Sequence, residues 1–151
     1  MKNEKKSIKL YNVLFPFWMI LMFPIAWVVV LPANFIIDSL VLIISMKILH
    51  LADKKRFYLR HILGVFAFGM LSDVIAGIFV FLMMYIFELG NMGDELYLTI
   101  PGIIIAAVLI FVLNYFVTFR KVEKSLRFKM AMIFATVTAP YTFLVQSSWI
   151  Y

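Results

Sequence analysis

From Leu10 to Leu51 the chain is almost continuously apolar, with Asp38 and Lys47 as its only charged residues. A helix needs about 20 mainly apolar residues to cross the roughly 30 Å of hydrocarbon in a bilayer, so this run is about twice one crossing. No water-soluble fold can cover it. Of all residues 65% are hydrophobic and 15% charged, with a mean hydropathy of +1.02, whereas ordinary soluble domains have roughly 45–50% apolar and about 25% charged residues. The same figures exclude intrinsic disorder, which needs low hydrophobicity and high charge. The chain therefore reads as an all-α, polytopic integral membrane protein of the cell membrane, a single transmembrane domain over residues 1–151.

Three further apolar segments, 62–87, 97–119 and 128–150, are each long enough to span. The opening run is expected to double back as a tight hairpin, giving spans 10–30 and 34–51. Its turn is expected at Leu31-Pro32-Ala33-Asn34, because Pro32 cannot donate to a helix in progress and Asn34 is a good N-cap for the next one. A basic start followed by an apolar run also resembles a signal peptide. The length, Pro16 and Pro24, and the lack of a small-x-small cleavage site favour a retained helix.

The charge distribution supports five spans, because Lys and Arg gather in short cytoplasmic loops. All fourteen basic residues fall in three segments: Lys2, Lys5, Lys6 and Lys9; Lys47, Lys54, Lys55, Arg56 and Arg60; and Arg120, Lys121, Lys124, Arg127 and Lys129. Five crossings put all three on one side, with the N-terminus cytoplasmic and the C-terminus outside. The net charge of +6 is then explained by orientation. The expected partner of the basic loops is a bilayer with anionic headgroups, and no nucleic acid.

Ionisable groups inside a span cost about 2.5–3.5 kcal/mol on insertion scales and are functional candidates by default. Asp73 lies eleven residues into the third expected span, near the midplane at 1.5 Å per residue. No intramembrane Lys, Arg or His is available to pair with it. It is expected to be protonated, or ionised only with water or a cation beside it. Asp38 is expected nearer the outer surface, one turn after Asn34, where a helix dipole favours an acid; with Ser45 these residues share a face that reads as an outer mouth or a subunit contact. In the last span Pro140 removes the helical partner of the Thr136 carbonyl, which in lipid must find another donor or an ion. Thr136 and Tyr141 are thus candidate ligands beside Asp73 in a proton or small-cation site. Small residues recur every fourth position at Gly69, Asp73 and Gly77, at Gly102 and Ala106, and at Ala131, Ala135 and Ala139. They allow close helix approach and suggest that the third and fifth spans meet. Asn114 and Thr118 are expected to hydrogen-bond to a neighbouring helix.

Other chemistries have little support. With no cysteine there is neither a disulfide framework nor a thiolate metal site. His50 and His61 lack metal-ligand spacing, and no phosphate-cradling, dinucleotide-binding, metalloprotease or serine-hydrolase motif is present. No cofactor or metal is expected, and an enzyme is disfavoured. Two classes remain: a transport or channel subunit for a proton, small cation or small solute, and a non-catalytic structural or accessory subunit of a larger complex. Five helices form a narrow bundle, so both predict a homo-oligomer or a heteromeric membrane partner.

Overall fold

A computed structural model describes residues 24–86 and 95–141. The described residues form helices α1 (Pro24–Ile48), α2 (Lys54–Ile86), α3 (Glu95–Leu113) and α4 (Lys124–Val137), with a π-helical turn over Asn114–Thr118 continuing α3. Among the described residues there is no strand. Three helical segments, Trp27–Ile48, Lys54–Met83 and Thr99–Thr118, are long and apolar enough to cross a membrane. Side chains such as Val28, Leu63 and Phe116 point outward from them. Helices apolar all round belong in lipid or a large core, and the core here is small.

Each helix packs on its chain neighbours, α1 on α2, α2 on α3 and α3 on α4, and α4 returns to α1. The result is a ring in which α2 and α4 are diagonal. The main core sits at one end, where Val41, Leu42 and Met46 meet Ile62, Val65, Ile110, Phe119, Met130 and Phe134. Phe57 and His61 near the start of α2 lie against Phe119, with ring centroids 6.2 Å and 5.4 Å away. The α1–α2 and α3–α4 turns therefore occupy the same end of the bundle. Lys2, Lys5, Lys6 and Lys9 lie outside the described residues; every other Lys and Arg is in or beside these two turns.

The structure corrects the expected opening hairpin. Residues 31–34 are helical, and α1 runs through Pro32 to Ile48. In lipid the helix satisfies every remaining backbone group, so losing one N–H donor is cheaper than opening a turn. Residues 10–23, the rest of the expected first span, lie outside the described residues. The true end of α1 is a Schellman motif: Leu51 N–H donates to Met46 O at 3.1 Å and His50 N–H to Lys47 O at 3.3 Å. His50 takes the left-handed conformation this requires, with φ 52°.

Two other boundaries move. α2 begins at Lys54, eight residues before the expected span, with Asp53 O accepting the Phe57 N–H at 3.0 Å. At 33 residues it is about 50 Å long, more than the roughly 30 Å of hydrocarbon in a bilayer. The expected span 128–150 is not one continuous helix, because α4 stops at Val137 and the chain bends at Thr138–Ala139. A residue before proline is pushed out of helical geometry, which ends the helix ahead of Pro140. With 14 residues, α4 reaches only about 21 Å, short of a crossing.

Candidate functional site

The contact between α1 and α2 brings Asn34, Asp38 and Asp73 together. Asn34 and Asp38 are one turn apart on α1, as are Gly69 and Asp73 on α2, so each pair shares a face. Glycine at position 69 leaves room for the Asp38 carboxyl, whose Oδ2 lies 3.5 Å from where a Cβ would stand. One turn further along α2, Asp73 follows Gly69 on the face that meets Asp38. Asp73 Oδ1 is buried and has no hydrogen-bond partner among the described residues. Asp38 is only 5% exposed. Asn34 orients the upper edge of the contact, its Nδ2 donating to the thioether sulfur of Met70 at 3.1 Å. Phe35 and Phe66 meet edge to face, with centroids 5.5 Å apart, and Ser39 hydrogen-bonds the Tyr58 hydroxyl at 2.9 Å.

Asp38 is therefore not a shallow acid in a first turn. With α1 unbroken, it lies fourteen residues from Pro24 and ten from Ile48, deep in the span and buried against α2. Asn34 is not an N-cap, and the two residues sit in a helix contact instead of an outer mouth. Ser45 is buried and closed on its own helix, donating to Val41 O at 2.7 Å.

Thr136 and Tyr141 stand elsewhere. They are on and just beyond α4, diagonal to α2, and both are exposed. The carbonyl freed by Pro140 does find a donor, because the Tyr141 hydroxyl hydrogen-bonds to Thr136 O. The Thr136 hydroxyl donates to Met132 O at 2.8 Å. The expected packing of the third span on the fifth is replaced by α2 on α3 and α1. Ala131, Ala135 and Ala139 are buried as the small-residue pattern implies, but α4, which carries the first two, packs on α3 and α1.

Among the described residues Asn114 and Thr118 make no side-chain hydrogen bond to a neighbouring helix. Asn114, 0% exposed, donates from Nδ2 to Ile110 O at 2.9 Å, and its Oδ1 and Thr118 Oγ1 are buried without partners. They lie on the π-helical turn, closed by Phe119 N–H donating to Asn114 O at 2.9 Å. His61 Nδ1–H donates to Phe57 O at 2.8 Å. Among the described residues no group of three or more His, Asp or Glu could hold a metal ion.

Sequence reasoning missed Met70 and Gly69 as members of the site. The Gly69–Asp73 spacing was the available signal, but it does not say which helix faces it. No known protein family, curated protein or solved structure matches the chain.

Proposed function

We propose that this chain is a multi-pass cell-membrane protein that holds and passes a proton or a small cation at the Asp38–Asp73 pair, as a transport or channel subunit. The carrying observation is the pair itself: the buried Asp38 and the half-buried Asp73, whose Oδ1 is enclosed, on adjoining spans, with no ion pair to either among the described residues. Two like charges at short range in lipid cannot both persist uncompensated. A shared proton or one bound cation removes the conflict, and losing or exchanging it gives the site its chemistry.

In this reading the basic end, with the α1–α2 and α3–α4 turns, faces the cytoplasm; reporters fused at each terminus test whether the N-terminus lies inside and the C-terminus outside, as the five-span count expects. The surrounding partners are a bilayer with anionic headgroups and further membrane subunits, identical or different. For the site, the test is flux of protons or alkali cations in proteoliposomes. Asp73→Asn and Asp38→Asn, which keep shape while removing titration, are each expected to lower flux at least about tenfold with assembly unchanged. Parental flux in both variants refutes the proposal.

The seating of Asp38 against Gly69 favours a second reading, in which the carboxyls are interhelical glue in an accessory subunit. That reading expects no flux from the parent protein, and weaker partner retention in Asp38→Asn.

A further inference from the structure

The first turns of α2 carry a feature that the acid pair does not use. Two adjoining concavities open at the basic end beside the α1–α2 turn. Asp53 and Arg56 border both; Lys54, Lys55 and Leu59 line one and Arg60 the other. Lys54, Lys55, Arg56 and Arg60 are all exposed, and none has an ion-pair or hydrogen-bond partner among the described residues. Four unpaired cations face one acid, Asp53, whose main-chain carbonyl is engaged in starting the helix. The surplus of positive charge is local and uncompensated.

What lies above the cations identifies the ligand. Leu59 and Leu63 follow Lys55 at intervals of four residues and so continue its face of the helix into the span. They are 63% and 68% exposed, among the more exposed apolar side chains described. A cationic hollow at the membrane surface with an open apolar ridge rising from it has the polarity of one phospholipid molecule, phosphate below and acyl chain above. A soluble anion would use the hollow and leave the ridge bare.

We propose that this hollow is a binding site for the phosphate group of an anionic glycerophospholipid, held by Lys54, Lys55, Arg56 and Arg60 with its acyl chain along Leu59 and Leu63. The site rests on the basic end lying at a membrane surface, as in the reading above, and is independent of the role of Asp38 and Asp73. It differs from general attraction between basic loops and an anionic leaflet in being confined to one turn.

The test uses the full chain in mild detergent, with native mass spectrometry of retained phosphatidylglycerol against phosphatidylcholine. The parent protein is expected to retain phosphatidylglycerol preferentially. Lys55→Gln with Arg56→Gln should reduce that retention roughly thirtyfold, the effect of two charges at an anionic surface. Lys121→Gln with Lys124→Gln, an equal charge loss at the other basic turn, should change it less than about threefold, reflecting only the wider field. Leu59→Asn should weaken lipid retention, and millimolar inorganic phosphate should not displace the lipid. Equal effects of the two charge pairs, or no preference for phosphatidylglycerol, would overturn the site. Displacement by inorganic phosphate together with indifference to Leu59→Asn would overturn the lipid and leave a free-phosphate site. Should the double variant fail to assemble, Arg56→Gln alone is expected to show a roughly five- to tenfold loss. Reporter fusions placing the basic end outside would sink the orientation proposed above without touching this result, so the two failures are separable.

Discussion

Replacing Gly64 by alanine probes a close contact between α2 and the π-helical turn. A Cβ at this position would stand 3.1 Å from Thr118 Cγ2, 3.2 Å from Oγ1 and 3.6 Å from Cβ, where carbon atoms prefer about 3.5–4.0 Å. Two of these contacts are short by several tenths of an ångström, so Thr118 or the π-helical turn must shift. Overpacking of this kind costs about 1–3 kcal/mol. Alanine regains at most about 1 kcal/mol of helix propensity, and less in a membrane, where the dissociated helix is already helical. Gly64→Ala is therefore expected to destabilise by about 1–2 kcal/mol. Thr118→Ala removes both close atoms, so in that background Gly64→Ala should be neutral or mildly stabilising, a coupling of about 1–2 kcal/mol in a double-mutant cycle. The assay is reversible unfolding in mixed micelles, compared with Gly77→Ala, where a new Cβ meets nothing within 4 Å. Additive single-variant effects, or equal stability of Gly64→Ala and Gly77→Ala, would refute the packing of α2 on the π-helical turn.

The remaining predictions concern the turns. His50→Gly relieves a side chain held at φ 52° and should stabilise the protein by about 1 kcal/mol in the same unfolding assay. Arg127 sits with its guanidinium carbon 4.2 Å from the centroid of the Tyr115 ring and donates to the Tyr115 hydroxyl at 3.2 Å and to Arg120 O at 3.4 Å. Lysine cannot reproduce the stack and the fork, so Arg127→Lys should cost about 1 kcal/mol and speed proteolysis between Phe119 and Glu123. Pro32→Ala restores a donor to the Val28 carbonyl inside a continuous helix; stability should rise or hold, with reporter topology unchanged. A topology change would mean that Pro32 does form a turn.

Much of the fold was legible without neighbours. The apolar segment 97–119 was expected to be one long helix, and helix runs over Glu95–Thr118, because a long apolar stretch between polar ends has one low-energy solution in lipid. The two prolines show where such reasoning stops. Both remove one donor, yet the helix continues through Pro32 and ends before Pro140. At Pro140 the Tyr141 hydroxyl is on hand to take the Thr136 carbonyl, so leaving the helix orphans less backbone than it otherwise would. His50 could not be foreseen as a helix terminator, since glycine is the usual residue there, and only the Met46–Leu51 contact selects it. The candidate site divides in the same way. Asp73 stood out as an unpaired acid, whereas its facing residue Asp38 was placed too shallow because its depth followed from the misplaced turn.

Residue chemistry alone settled that this is a helical chain with segments long and apolar enough to cross a membrane, its Lys and Arg gathered away from Asp38 and Asp73. The cost of moving a side chain from water into hydrocarbon depends on its type and not on its neighbours. Pairing belonged to the tertiary structure. That the Gly69–Asp73 face of α2 meets Asp38 on α1 and not Thr136 depends on which helix surfaces interlock, and in a bilayer nearly every surface is equally apolar. The choice falls to close packing at particular small residues, Gly69 and Gly64 among them, and that is a property of two helices at once.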